Sequence, residues 1–322
     1  MKSRAEVVAM VRARVRLRHY ALNTEDAYCA WTARYYDFCC SLRNRRMTHE
    51  AKAEAFLTHL AVQGQVSAQT QNQALAALLF LYKGVLNDPL GDIDALRAKR
   101  PKHERTAPSR EQIKQFRAAV VDSANTPARL IVDLIYGCGL RVSEPLELRT
   151  MDVLWGERQL VIRAAKGAKD RRVPLPAACV APLQAQLKKA RAVWQRDRDF
   201  SPAVGVTLPF QLKKKYPSAG LTWQWFWVFP APDHCDDPRS GERVRFHLLH
   251  DSVQRAVHDA SVKAGLGYLI SPHILRHGYA THSREAIEAL RQLMGHNSIE
   301  TTAGYRHPVV EQASNPLDDL LN

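Results

Sequence analysis

The chain has 322 residues, about the length of two domains. Its 46% hydrophobic content can form two cores, and the longest apolar run, residues 74–82, is too short to cross a membrane, which excludes a transmembrane protein. Lysine and arginine outnumber aspartate and glutamate by 46 to 32, and the resulting net charge of +14 favours a polyanionic partner such as nucleic acid.

Helical patterns dominate the first 95 residues. The polar segment 23–26 has the composition of a helix start, and Thr48 and Ser67 are typical N-caps of two further helices. Aromatic side chains recur at intervals of three or four positions in the first of these helices, and we assign them to the core rather than to base stacking. They are Tyr28, Trp31, Tyr35 and Phe38. The patterns predict an all-helical domain over residues 1–95.

A basic, proline-containing segment, residues 96–109, predicts a linker that lies along phosphates. Ser109 then opens a helix with a capping-box pattern, and residues 110–322 form the second domain. The elements expected in it are a helix over 129–136, short strands over 159–162 and 172–175, an irregular segment over 194–246 and a helix over 251–264. The prolines at 174 and 176 place the second strand at a sheet edge.

Four separated patches of the second domain carry the side chains of one chemistry. They are Arg141 with Glu144 after a glycine-bounded turn, Lys166 in the hairpin, the His273–His277 segment with Arg276, and His296 followed by Tyr305. A phosphodiester under attack gains negative charge on its non-bridging oxygens, which fixed arginines stabilise. A tyrosine nucleophile needs nearby positive charge, and a lysine can protonate the leaving oxygen. The set therefore indicates phosphoryl transfer without a metal.

The order and spacing of these residues resemble the tyrosine recombinase (phage integrase) family, most closely in residues 272–282 and 293–305. The resemblance implies a mainly α fold with a small β-sheet. An all-helical, SAM-like core-binding domain and a mixed α/β catalytic domain would clamp DNA between them. It also implies a soluble protein of the bacterial cytoplasm, associated with the nucleoid and not with a membrane.

The same resemblance implies a role for each residue of the four patches. Tyr305 would attack a backbone phosphate and form a 3′-phosphotyrosyl link, while Arg141 and Arg276 bind the non-bridging oxygens. Lys166 would protonate the leaving 5′ oxygen, His273 would transfer a proton, His296 would hydrogen-bond the phosphate, and Glu144 would support the site. Since the link conserves the bond energy, neither ATP nor a metal nor another cofactor is required.

Residues 213–217, 223–231 and 237–241 resemble an insertion found in integron integrases. In that subfamily the insertion holds bases that bulge from a folded single-stranded site, and aromatic side chains can stack on such bases. The residues expected to do so are Trp225, Pro238, Phe246 and His247. The expected function is integration and excision of gene cassettes at folded single-stranded and duplex sites. A homotetramer would act on the DNA, with the tail 312–322 docked on a neighbouring protomer.

Three alternatives remain open from the sequence. The segment between His282 and Gly295 is shorter than is usual in the family, which suggests a DNA-binding relic that cannot cut. A chromosome-dimer resolvase or a phage integrase would share the catalytic residues but lack the insertion. An irregularly spaced zinc site could use His234, Cys235, His247 and His250.

Overall fold

The computed structural model describes residues 2–43, 46–91, 107–163 and 170–295, with the side chains of 210 and 211 excepted. The chain divides into two compact units, residues 1–105 and 106–322. Most of the predicted linker, the hairpin tip with Lys166, and the segment from His296 through Tyr305 to the tail lie outside the described residues. Within the described ranges, no helix combines the length and apolar character of a membrane span.

All regular elements in the described part of the first unit are helices. Its helices are α1 (Arg4–Leu17), α2 (Leu22–Ser41), α3 (His49–Val62) and α4 (Ala68–Leu79), which continues as a π-helical segment over Phe80–Leu86. The N-caps predicted at Thr48 and Ser67 are confirmed, since each side chain accepts a backbone N–H of the first turn. The start predicted at residues 23–26 is wrong by a few positions. Helix α2 begins at Leu22 after Ala21, which has no capping side chain.

Aromatic side chains form much of the core of the first unit. Trp31 and Tyr35 are buried, and Tyr28 and Phe38 pack against the same cluster, which confirms their assignment to the core. The Tyr35 and Tyr82 hydroxyls lie 2.8 Å apart, so each buried polar tip has a partner. Trp31 Nε1 donates to the Gln73 side chain at 3.1 Å, which ties α2 to α4.

The second unit combines helices with two small sheets. Its helices are α5 (Arg110–Ala119), α6 (Ala128–Cys138), α7 (Ser143–Leu146), α8 (Ala177–Phe200), α9 (Phe210–Lys215), α10 (His250–Ala264), α11 (Pro272–His282) and α12 (Ile287–Met294). Its strands are β1 (Val153–Leu154), β2 (Gln159–Ile162), β3 (Arg171–Pro174), β4 (Gly205–Val206), β5 (Pro230–Asp236) and β6 (Arg243–His247). Together with the first unit, this architecture confirms the predicted fold class, mainly α with small β-sheets.

The first sheet has the antiparallel order β1-β2-β3, with Leu160 opposite Val173. Strand β3 is an edge strand, as the prolines at 174 and 176 predict. The buried faces of these strands join helices α5, α6, α8, α10 and α11 in one apolar core. This packing brings the end of α6, the start of β3 and the buried face of α11 close together.

The predicted irregular segment 194–246 is more ordered than the sequence indicates. Residues 194–200 complete α8, and the remainder includes a second sheet of order β4-β6-β5. The β5–β6 hairpin was missed because β5 contains two prolines and two of its central residues are charged or polar, which obscures the alternation of a strand. The tryptophans at 223 and 225 lie in a 3₁₀ turn.

Candidate active site

Glu144 is the centre of the candidate active site. Helix α6 ends at Gly139 in a left-handed conformation, and the short helix α7 places Glu144 in its first turn. The Glu144 carboxylate accepts the Arg141 backbone N–H at 2.7 Å and the Arg141 Nη1 at 2.8 Å. The predicted supporting role of Glu144 therefore has a geometric basis, because the carboxylate holds both the backbone and the guanidinium of Arg141.

Helix α11 supplies the second predicted arginine. Arg276 is buried, and its Nη1 donates to the Gly139 carbonyl and its Nη2 to the Met294 carbonyl, both at 2.6 Å. Its Nη1 also lies 3.8 Å from the Glu144 carboxylate. His273 is exposed one turn earlier on the same helix, so its side chain lies on the same face as Arg276.

A third arginine, Arg171 at the start of β3, was missed by the sequence analysis. Its Nη1 and Nη2 donate to the two carboxylate oxygens of Glu144 at 3.0 and 2.6 Å, and its Nε donates to the Leu293 carbonyl at 2.6 Å. The available signal was its position directly after the hairpin that carries Lys166. We call Arg141, Arg171 and Arg276, gathered around Glu144, the arginine cluster.

The arginine cluster also binds the end of α12. Leu293, Met294 and Gly295 present three consecutive carbonyls, and each accepts a hydrogen bond from a different arginine of the cluster. Burial alone would raise the pKa of the Glu144 carboxyl, but hydrogen bonds and charge from Arg171, with further help from Arg141 and Arg276, hold that pKa below its ordinary value. Glu144 is therefore ionised at neutral pH and balances part of the positive charge.

A pocket of about 330 Å³ lies beside the cluster and shares Glu144 as a lining residue. Three of the four residues predicted to hold extrahelical bases line it, namely Trp225, Phe246 and His247. Trp227 contributes a fourth ring and lies 5.0 Å from the His247 ring between centroids. The insertion thus presents aromatic surface directly next to the arginine cluster.

Arg149 fixes the wall of this pocket and was also missed by the sequence analysis. It is buried, its guanidinium carbon lies 3.3 Å from the Trp227 ring centroid, and it donates to the carbonyls of Trp225 and Thr207 at 2.8 and 2.7 Å. These bonds hold the tryptophan segment to the catalytic unit. Arg163 lies on the same pocket and pairs with Asp152 at 2.7 Å.

Pro238, the fourth predicted base-binding residue, lies elsewhere. It is exposed in the turn between β5 and β6, whereas His247 pairs with Pro230 at the other end of the hairpin. At about 3.3 Å per residue, roughly 20 Å of strand separates the two ends.

Two of the four residues of the alternative zinc site, His234 and His247, have other partners. His234 Nε2 lies 3.0 Å from the Asp197 carboxylate, and His247 Nδ1 hydrogen-bonds the Leu248 carbonyl at 2.8 Å. In the part of the chain that the structure describes, no three His, Cys, Asp or Glu side chains are grouped as metal ligands.

Comparisons with known proteins identify the family of the chain. Residues 109–312 match the phage integrase family, and residues 8–92 match its N-terminal SAM-like domain. An integrase/recombinase from Escherichia coli is 37% identical over 98% of this chain and 94% of that protein. The tyrosine recombinase XerA from Thermococcus kodakarensis is 31% identical over 80% of this chain and 76% of that protein.

Two solved structures share the fold at low sequence identity. The XerH recombinase bound to its difH substrate has a TM-score of 0.61 and 20% identity, over 97% of this chain and 84% of that one. A lambda integrase dimer bound to a core site has a TM-score of 0.61 and 15% identity, over 97% and 98%. The family match over residues 109–312 and the 37% identity to the Escherichia coli protein show that the chain belongs to the phage integrase family, the tyrosine recombinases. As a member of this enzyme class it breaks and rejoins DNA strands.

Proposed function

We propose that this recombinase is the integrase of an integron, which integrates and excises gene cassettes at a folded single-stranded site and a duplex site. The observation that carries the proposal is the aromatic pocket of the insertion beside the arginine cluster. A base bulging from a hairpin next to the scissile phosphate would find Trp225, Phe246 and His247 within the same pocket. Its volume falls at the lower end of the roughly 300–1,000 Å³ of ligand clefts.

The properties of the pocket suit a single unpaired base. Aromatic rings bind any base through its π-face, so the contact does not depend on duplex sequence. Arg163, whose side chain is about half exposed at 46%, lines the pocket and is paired there with Asp152, so the contact with the base would depend mainly on the aromatic rings. A perfectly paired duplex would present no such base, which makes the pocket a means of distinguishing the folded strand.

In the proposed reaction, the Tyr305 oxygen attacks the scissile phosphorus, and the bond from phosphorus to the 5′ oxygen breaks. The phenol proton passes to His273, and Lys166 protonates the leaving 5′ oxygen, which leaves a 3′-phosphotyrosyl link. Arg141 and Arg276 bind the non-bridging oxygens, and His296 donates a further hydrogen bond. Glu144 supports the arginines. The free 5′ hydroxyl of another strand reverses the step and completes the exchange.

The proposed assembly is a homotetramer that holds two paired sites, with each tail, residues 312–322, docked on a neighbouring protomer. Size-exclusion chromatography of the DNA complex, with and without residues 312–322, tests the docking. Loss of the tetramer in the truncated chain is expected, and an unchanged tetramer would contradict it. Pro238 stays predicted to contact an extrahelical base, but because it is exposed at the hairpin tip this base is not the one in the aromatic pocket.

The function is tested by trapping covalent protein–DNA product on a hairpin with extrahelical bases, beside its perfectly paired duplex. We expect the wild type to form covalent product on the hairpin and Tyr305→Phe to form none. Trp225→Ala should lower product on the hairpin about 5- to 160-fold, since base–aromatic stacking contributes roughly 1–3 kcal/mol. Its backbone carbonyl remains available to Arg149. Trp155→Ala, an exposed tryptophan outside the insertion, is the matched control and should have no effect.

Each failure of this experiment has a distinct meaning. Equal product on hairpin and duplex, with no effect of Trp225→Ala, would contradict the integron assignment and favour a resolvase or phage integrase. Binding of the hairpin without covalent product would favour the DNA-binding relic. The second result would contradict the catalytic proposal even though the fold and family stand.

A further inference from the structure

Arg171 is a nearly buried member of the arginine cluster whose guanidinium is fully used in hydrogen bonds within the protein. Its side chain is only 11% exposed, and all three guanidinium nitrogens donate, two of them to Glu144 and one to Leu293. The Glu144 carboxylate is 10% exposed and accepts both bonds in a fork arrangement, which lysine cannot reproduce. The guanidinium therefore faces inward and joins the start of β3, the carboxylate and the end of α12.

The other two arginines, Arg141 and Arg276, contact α12 and are also assigned to the phosphate. Arg141 is about half exposed, and Arg141 and Arg276 each donate to a carbonyl at the end of α12, while the proposed mechanism also assigns both guanidinium groups to the phosphate. An incoming phosphate would therefore share these two guanidinium groups with the Met294 and Gly295 carbonyls. Arg171, by contrast, holds the Leu293 carbonyl and has no phosphate contact in the proposed mechanism.

Close packing at Gly295 points to the same function of Arg171. Gly295 ends α12 in a left-handed conformation, with φ of +63°. An added Cβ there would lie 3.2 Å from Arg171 Nη1 and 3.4 Å from Arg171 Cδ. The backbone immediately before His296 thus rests on the Arg171 side chain.

We infer that Arg171 is a positioning residue for strand cleavage. It anchors the end of α12 to Glu144 while Arg141 and Arg276 bind the phosphate. By doing so it fixes the point from which the chain continues to His296 and Tyr305. The inference rests on the phosphate-binding roles proposed for Arg141 and Arg276, and it does not depend on the preference for hairpin DNA.

The test compares Arg171→Lys with Arg172→Lys in the full chain. Arg172 is the next residue of β3, and its exposed guanidinium pairs with Glu157 at the surface, so it is a matched control. Without DNA, hydrogen exchange of the peptide 287–295 should be faster in Arg171→Lys and unchanged in Arg172→Lys. Unchanged exchange in both would overturn the inference, and this result is independent of any recombination activity.

The second measurement is single-turnover formation of covalent product at saturating DNA, on whichever substrate the wild type cleaves. Arg171→Lys should lower the rate about 10- to 100-fold with unchanged DNA affinity, because small misplacements of reacting groups have large rate effects. A rate within twofold of the control, or a loss confined to DNA affinity, would overturn the inference.

A substrate with sulfur at the 5′ bridging position separates two ways in which Arg171 could act. Such a leaving group needs little proton donation, so it compensates for a displaced Lys166. Arg171→Lys should remain slow on this substrate. Full recovery would mean that Arg171 supports only the Lys166 hairpin, which would overturn the role assigned to it at α12. If the wild type forms no covalent product, the proposed function fails, and the exchange measurement still decides the inference.

Discussion

Arg141 connects the centre of the candidate site to the end of α12. Its Nη2 donates to the Gly295 carbonyl at 3.1 Å while its Nη1 holds the Glu144 carboxylate at 2.8 Å. The Arg141 side chain is 49% exposed, whereas the Arg276 side chain is 4% exposed. The two arginines with the same proposed role thus lie in different environments, and their contributions to folding and cleavage can be separated.

Arg276→Ala and Arg141→Ala should both lower the cleavage rate by about 10²–10³, because each removes a donor to the charged transition state. Their effects on stability should differ. Arg276→Ala leaves buried acceptors on Gly139 and Met294 without their donor and should lower the free energy of unfolding by about 3 kcal/mol. Arg141→Ala should lower it by less than about 1 kcal/mol. Urea unfolding measures both, and equal losses would contradict the assignment.

Gly295→Ala should destabilise the protein and slow cleavage, since the new methyl group would crowd Arg171. Gly265 is the matched control. It ends α10 with the same φ of +63°, and no atom lies within 4 Å of a Cβ built there. Both substitutions should cost about 1 kcal/mol of backbone strain. Only Gly295→Ala should also lower the cleavage rate, and a similar loss in Gly265→Ala would show that strain alone is responsible.

The sequence predicted the parts of the site whose contacts are local. Arg141 and Glu144 are three residues apart and meet within one turn, and His273 and Arg276 share a helical face for the same reason. Arg171 contacts Glu144 and Leu293 across 27 and 122 residues, so no local pattern indicates its partners. Arg149 was missed for the same reason, because its contact with the Trp225 carbonyl in the insertion spans 76 residues.

The fold was predictable where propensity and tertiary packing agree. The N-caps at Thr48, Ser67 and Ser109 and the alternation of β2 have local causes, and the structure confirms them. Strand β5 was not predicted, since its residues are held by pairing with β6 and not by β propensity. The start of α2 was misplaced because packing of the helix against α1, rather than a capping side chain, sets that boundary.

Glu144→Gln should lower the free energy of unfolding by about 3 kcal/mol near neutral pH, because three arginines lose their shared counter-charge. The pKa of the Glu144 carboxyl is below its ordinary value of 4.5 in the folded chain. The contribution of ionised Glu144 to the free energy of unfolding is therefore fully present above pH 4.5. It is lost as the pH falls through the lower pKa of the folded chain. Urea unfolding across this range should show the wild type and the variant converging in acid, and a constant difference would contradict the prediction.

His247 should give the stability of the second unit a separate dependence on pH. Burial, with smaller effects of His250 and Arg149, lowers the pKa of His247 to about 4 from 6.5, despite the opposing hydrogen bond to Leu248. The unfolded chain then binds a proton between these values and the folded chain does not, so stability falls as the pH drops from 6.5 towards 4.

His247→Gln should remove this acid-induced fall in the free energy of unfolding, which amounts to roughly 2–3 kcal/mol near pH 4. The comparison is urea unfolding at a series of pH values from neutral downwards. His258→Gln, which alters an exposed histidine of α10, should leave the dependence unchanged. An identical acid profile in the wild type and His247→Gln would contradict a buried neutral His247.

The ion pair between Asp197 and Arg245 offers a way to disturb the insertion without altering the arginine cluster. Asp197 lies near the end of α8 and binds Arg245 of β6 through two hydrogen bonds of 2.5 and 2.8 Å, with both side chains almost fully buried. Arg245 also donates to the carbonyls of Ala231 and Pro232, so this pair attaches the β5–β6 hairpin to α8.

Asp197→Asn leaves the buried Arg245 charge without a counter-ion, a change that typically destabilises by about 3–5 kcal/mol. The β5–β6 hairpin should become sensitive to limited proteolysis, and covalent product on hairpin DNA should fall about fivefold or more as the aromatic pocket loses its support. The arginine cluster does not contact this pair, so any product formed on duplex DNA should change little. Asp199→Asn, an exposed aspartate two residues further along α8, is the control. Equal losses on both substrates would mean that the insertion supports the whole catalytic unit rather than the recognition of a folded strand.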